Sequence, residues 1–315
     1  MAQALADIPV AAKSFGNPAD PDDRLWCWRW PIPVHIAKFP LARRTFLPHR
    51  RAMPQPSSLA NRILGWKHLS LIPYLARAGL RRRYADSLLG PFLAIAQPSL
   101  IILVYSVIFS RVVSFRHDGA YAPMLIAGIL PWFALSDGLT NMAGSLTGHV
   151  ALIKRAPLPA ILWPLSSLAE GVVKQMCLLG IAAIALAFMG HMPAAQWWSL
   201  PYLLLASAAL ILPLGLILAL GNIVLRDTSF LLPGGLQIWF WLTPIVWPAA
   251  LLGQKWAPWL AANPLSHLVA LSRHMLLGAP FPVDGLAIFW AEIGLLALLT
   301  LGLWRLFEAE LRDYL

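Results

Sequence analysis

The chain has 315 residues, 59% hydrophobic and only 12% charged, and so few charges cannot cover a soluble domain of this length, which excludes that class. Its net charge of +10 is unevenly placed, and the placement is informative about orientation in a membrane. Two cysteines in unlike surroundings, Cys27 in a polar stretch and Cys177 in an apolar one, imply no disulfide framework.

Residues 1–66 are rich in Pro and Arg and lack a sustained apolar period, the profile of a disordered cytoplasmic tail without a signal peptide. Trp26, Trp28 and Trp30 either seat at a lipid headgroup boundary or belong to that loose tail. Beside membrane spans, the basic and aromatic mixture fits anionic lipid better than nucleic acid. Residues 67–90 form an interface unit. From Leu69 to Tyr84, Leu69, Ile72, Ala76, Leu80 and Tyr84 share one side and Arg77, Arg81 and Arg82 the other, which predicts an amphipathic helix along the inner membrane surface. Arg81, Arg82 and Arg83 hold this end in the cytoplasm. Beyond orientation, guanidinium groups bind phosphate oxygens two at a time, so the three arginines are candidates for contact with a lipid pyrophosphate headgroup.

Residues 91–315 read as an all-α polytopic membrane domain with six transmembrane helices, both ends cytoplasmic. The first runs from Phe92 to Ser110, and Arg111, Arg116, His117 and Asp118 form its outer loop. The second returns from Tyr121 to about Leu146. It contains Asp137, near enough to the inner end to reach water. The third, about Ile161 to Met189, carries Glu170 and Lys174 four residues apart, an expected ion pair on one helix face. The inner loop before it, from His149 to Pro164, mixes Leu152 and Ile153 with Lys154 and Arg155 and is fenced by Pro157 and Pro159. It is either a topogenic loop or a docking peg.

The fourth span is about Leu200 to Leu225, and Arg226 and Asp227 mark a tight inner turn, because each charge costs roughly 2.5–3.5 kcal/mol at the centre of a spanning helix. The fifth runs from Ser229 to Trp247. On it Trp239, Thr243 and Trp247 recur every four residues, and Pro244 and Pro248 bend the helix beside these rings. Residues 249–282 hold apolar pieces too short to cross. Leu265 to Leu277 would cover only about 20 Å, which predicts a re-entrant helical segment, with His267, Arg273 and His274 as interfacial polar groups near its mouth. The sixth span is Leu286 to Leu306.

The order of features resembles the permease subunit of type-2 ABC exporters for O-antigen, capsule and teichoic acid chains. The likeness rests on Arg83-Tyr84, Ser87 and Leu89-Gly90, Pro98, Phe109-Ser110 and the run Gly128 to Phe133. Leu152 to Arg155, Pro157 to Pro159, Arg226-Asp227, Leu242 to Ile245, Asn263 to Leu265 and Arg273 extend it. It covers about residue 65 to the end, and departs from the family at Pro91-Phe92-Leu93, where a Trp usually follows shortly.

The resemblance implies a homodimer in a bacterial cytoplasmic (inner) membrane with two separate ATPase subunits beneath it. No cofactor is bound by this chain, which has no Gly-x-x-x-x-Gly-Lys-Ser/Thr loop, so ATP and Mg belong to the partner. It also implies ATPase coupling by Leu152, Ile153, Lys154 and Arg155, with Arg226 and Asp227 as a second inner contact. Sugar C–H faces lie well on ring faces, so Trp239, Phe240, Trp241 and Trp247, with Trp132 and Phe133, are the candidate path of a polysaccharide or lipid-linked glycan. The alternative for each ring is an aromatic belt facing lipid. Two other functions stay open: a drug or small-lipid exporter with the same coupling parts, and a membrane-embedded sugar transferase. The transferase needs paired acids or a metal site, and Asp86 and Asp227 stand alone.

Overall fold

A computed structural model describes residues 69–84, 96, 99–101, 103–104, 121–155, 158–190, 196–225, 227–249, 253–283 and 285–308. The chain divides into units 1–55 and 56–315, and all described residues belong to the second. The tail, most of the predicted first span with its outer loop, and Arg226 lie outside the described residues. Every regular element among the described residues is helical.

The first helix, α1 (Ile72–Tyr84), is the predicted amphipathic one. It buries Ala76 and packs Leu75 against the core while Arg77, Arg81 and Arg82 are exposed. It lies on α4 (Leu162–Phe188). The approach is close at Gly79, where a Cβ would overlap the Glu170 carboxylate.

Four helices are long and apolar enough to cross a membrane: α2 (Tyr121–Ala143), α4, α5 (Leu200–Val224, preceded by a 3-10 turn over Trp197–Ser199) and α9 (Leu286–Glu308). They match the predicted second, third, fourth and sixth spans. Of these α2 is the central one. Its most apolar stretch is 78% buried, against 22% in α4 and 17% in α9, and it packs on α4, α5 and α8 (Pro264–Leu277). In lipid, helices associate through close packing, so small residues mark the contacts. A Cβ at Gly215 of α5 would lie 2.6 Å from Met142 Sδ, and one at Gly138 of α2 would lie 3.1 Å from the Ile211 side chain. Buried polar groups add a second tie. Gln175 Nε2 of α4 donates to Ser207 Oγ of α5 at 3.0 Å, away from lipid.

The predicted fifth span is shorter than expected. Its helix, α6 (Thr228–Leu242), has 15 residues, about 22 Å of rise, and ends with Thr243 in extended backbone at φ −101, ψ 142. Pro244 is the cause, because its ring pushes the preceding residue out of helical conformation. Trp247 therefore does not continue the face of Trp239. Of α6 only Leu236 and Phe240 are buried, and Phe230, Leu231 and Ile238 are exposed.

The pairing expected inside α4 is also corrected. Lys174 Nζ reaches Asp137 Oδ2 of α2 at 2.7 Å, and Glu170, one helical turn earlier, is buried over Gly79 of α1. Packing, not spacing along the helix, chose the partner of Lys174.

Gly215→Val should overpack the α2–α5 contact at the buried Met142 and cost about 1–3 kcal/mol. A melting curve of the purified protein checks this, and an unchanged midpoint contradicts the packing described.

Candidate functional site

At the end of the helices predicted to face inward, a 3-10 turn (Thr147–His149) leads into the two-turn helix α3 (Val150–Arg155). Ile153 is 1% exposed and anchors α3, whereas Leu152 is 40% exposed and Lys154 and Arg155 face solvent. The predicted docking peg thus has one apolar knob, not two. Ile153 faces inward because a six-residue helix needs one buried side chain to hold its angle.

The peg is fastened to its surroundings at His149 and Thr147. The His149 ring stacks on Trp163 at 4.4 Å, and its Nδ1 lies 2.8 Å from the Ser145 carbonyl. A carbonyl only accepts, so Nδ1 carries the proton and Nε2 accepts from Arg82 Nη1 of α1, 3.4 Å away. Asn222 Nδ2, near the end of α5, donates to the Ala143 carbonyl at 3.0 Å and to Thr147 Oγ1 at 3.2 Å. The α5–α6 turn with exposed Asp227 therefore lies at the same end as α3. Arg226 of that turn is outside the described residues. Arg81 and Arg82 are exposed at this end, and Arg83 follows them in α1.

The backbone from Thr243 to Pro248 is non-helical, and Thr243, Ile245 and Val246 are buried. Such backbone is tolerated at membrane depth only where protein satisfies it. Two side chains do so, and a third, Asn263, anchors the Thr243 side chain. Arg273 of α8 donates through Nη2 to the Pro244 and Ile245 carbonyls, each at 3.0 Å, and through Nε to the Met124 carbonyl at 3.4 Å. The Tyr121 hydroxyl donates to the Val246 carbonyl. Asn263 caps α8 by accepting from Leu265 N at 3.2 Å, accepts from Trp239 Nε1 at 3.0 Å, and donates to Thr243 Oγ1 at 2.9 Å. Gly128 makes room for this lock: a Cβ there would lie 2.9 Å from Arg273 Nη2. Burial lowers the Arg273 guanidinium to about 10, so it stays charged at neutral pH.

The six candidate rings do not form one stripe. Trp132 and Phe240 are buried against each other at 5.3 Å, and Trp239 is held by Asn263. Trp247 is partly buried and donates from Nε1 to the Trp241 carbonyl at 3.1 Å. Trp241 is exposed, and Phe133 is partly buried and packs against the core. His267 and His274 are both buried within the protein. His267 stacks on Phe289 at 4.5 Å, and burial lowers its imidazole below the ordinary value. Sequence reasoning missed the ring group they join, in which Trp290 Nε1 donates to the Tyr202 hydroxyl at 3.2 Å beside Trp198 and Phe281. It also missed Glu292, an acid inside α9. A count of charges within apolar runs finds Glu292, but ring groups gathered from three elements leave no local signal. Among the described residues, no group of His, Cys, Asp and Glu is arranged to hold a metal ion.

The family model described as ABC-2 type transporter matches residues 71–277, well over half of the chain. This chain belongs to the ABC-2 type transporter family. As an ABC-2 permease it is a transport subunit, not an enzyme, and the family implies an ABC ATPase partner. An O-antigen export system permease protein RfbA of Klebsiella pneumoniae is 23% identical over 221 residues, covering 70% of this permease and 85% of that protein. A second of the same name and organism is 22% identical over 236 residues, covering 75% and 91%. The Myxococcus xanthus protein of that name is 27% identical over 211 residues, covering 65% and 79%. The match to the ABC-2 permease model contains the whole lock, from Tyr121 to Arg273.

Arg273→Lys should not replace the lock, because an ammonium lacks the guanidinium fork that serves two carbonyls. A loss of about 1.5–3 kcal/mol is expected, measured as thermal stability of the purified permease. Wild-type stability in Arg273→Lys contradicts the carbonyl-capping role.

Proposed function

We propose that this protein is the membrane subunit of an ATP-driven exporter that moves a polysaccharide or lipid-linked glycan of the O-antigen or capsule type across a bacterial cytoplasmic membrane. The observation that carries the energy coupling is α3: a rigid two-turn helix that buries Ile153 and offers Leu152, Lys154 and Arg155 to a partner. The three relatives named for O-antigen export support the cargo class.

In this reading the subunit has six spans with both termini in the cytoplasm. The pieces from α6 to the end of α8 are read as one span followed by a re-entrant element, since α8 has only 14 residues. Two copies form the conduit, and two ATPase subunits dock beneath them. The exposed apolar side of α6, with Phe230 and Leu231, suits contact with a second copy better than contact with water. ATP and Mg are held by the ATPase partner. Arg81, Arg82 and Arg83 meet lipid phosphate at the inner surface, and Arg226 and Asp227 form a second contact with the partner. Trp241, the exposed ring of the candidate set, and Phe133 are the aromatic contacts left for cargo, since Trp132, Phe240 and Trp239 are engaged within the fold.

Lys154→Glu together with Arg155→Glu should reverse the charge offered to the ATPase and abolish its co-purification, with export falling by at least about tenfold, equivalent to about 1.4 kcal/mol of docking free energy. Export is read as polysaccharide delivered into vesicles carrying the permease and its ATPase. Unchanged association and export would remove the docking role, and delivery of a small lipid or drug with no polysaccharide would remove the cargo assignment.

A further inference from the structure

Among the described residues, one side of the central helix is less covered by protein than the others and carries polar groups. Phe133, Ser136, Thr140 and Gly144 follow one another by three or four residues, with Asp137 next to Ser136, and so lie along one face of α2 and the turn after it. Phe133, Ser136 and Asp137 are partly exposed, and Thr140 and Gly144 are exposed, in a helix whose other sides are packed on α4, α5 and α8. Lys174 of α4 closes the row through its 2.7 Å ion pair with Asp137.

The depth of this row decides what covers it. The His149–Trp163 stack fixes the inner-end level of both helices. Lys174 follows Trp163 by 11 residues of continuous helix, so it lies roughly 16–17 Å further in, and the ion pair holds Asp137 beside it. Lys174 is at the midpoint of the 27-residue α4. Yet the two side chains are 21% and 42% exposed. A charged pair turned toward hydrocarbon at mid-depth is strongly unfavourable, so the medium on this side is not lipid tails.

We propose that the face Phe133, Ser136, Asp137 and Thr140 of α2, closed by Lys174 of α4, is the hydrated wall of the transport path at mid-membrane, a polar surface for the hydroxyl groups of the cargo. The inference rests on the transport reading above and deepens it. Thr140 donates its proton to the Ser136 carbonyl at 2.7 Å, and Ser136 points its own to the Phe133 carbonyl at 3.4 Å. With protons so committed, the hydroxyl oxygens are left as acceptors. The ion pair adds a carboxylate acceptor and an ammonium donor. A wall of this kind is satisfied by water without cargo, and a polyhydroxyl chain finds donors and acceptors along it. The path then follows the Phe133 side of α2, not the side on which Trp132 is buried against Phe240.

The test uses the full chain with its ATPase in membrane vesicles open at both faces, with Cys27→Ser and Cys177→Ser removing the native thiols. Single cysteines are placed by Ser136→Cys, Thr140→Cys and, on the exposed apolar side of α9, Leu295→Cys. The probe is a charged sulfonatoethyl methanethiosulfonate, which reacts with the thiolate and therefore needs water. Both stripe positions should be modified at least about tenfold faster than Leu295→Cys. Equal or slower modification at both positions overturns the hydrated wall, whether lipid or a second copy covers it. As a second measurement, Lys174→Met should lower polysaccharide export by about tenfold with ATPase association intact, and Lys174→Arg should restore it. Full export by Lys174→Met overturns the role of the pair. The labelling does not depend on which cargo moves. A labelled stripe without polysaccharide export retires the cargo assignment alone, and an unlabelled stripe with export retires this wall alone.

Discussion

The structure depends on how six residues of non-helical backbone are satisfied away from water. Thr243 to Pro248 interrupt an apolar run that would otherwise continue as helix, and each freed carbonyl must find a donor. Arg273 supplies two hydrogen bonds to Pro244 and Ile245, Tyr121 supplies one to Val246, and Asn263 ties Thr243 and Trp239 to the start of α8. Four separated stretches of the chain meet there. Because α2 contributes both Tyr121 and the cleared space at Gly128, the lock also fixes the short helix α8 against the most buried helix of the fold.

The inner end follows a different logic. There the backbone is helical, and a short helix keeps its orientation through side-chain contacts. Ile153 provides one buried anchor, and the His149 ring, held between Trp163, Ser145 and Arg82, provides another. Movement of α3 is thereby felt by α1, α4 and α5 together, through Arg82, Trp163 and the Asn222–Thr147 contact.

Charges inside the apolar helices divide by what their surroundings allow. Glu170 is covered by α1, and Lys174 and Asp137 neutralise each other across two helices. The first arrangement fastens an interface helix. The second leaves a partly exposed ion pair among the polar side chains of α2.

The sequence by itself determined the class of molecule. Long apolar runs, the arginine-rich α1, the fenced inner loop and a helix at 264–277 too short to span are all local properties of composition, period and length, and the described helices follow them. The family was legible from Gly128 to Phe133, Leu242 to Ile245, Asn263 to Leu265 and Arg273 as an ordered set, though not the reason for it. That reason is tertiary, since these stretches form one hydrogen-bonded lock. Spacing along a helix made Glu170 the natural partner of Lys174, and it made Trp239 and Trp247 neighbours on one face. Only packing brought Asp137 to Lys174, and only the backbone break at Thr243 separated those rings. A helix period reports which residues share a side, whereas which neighbour that side meets is fixed by the other helices it is packed against.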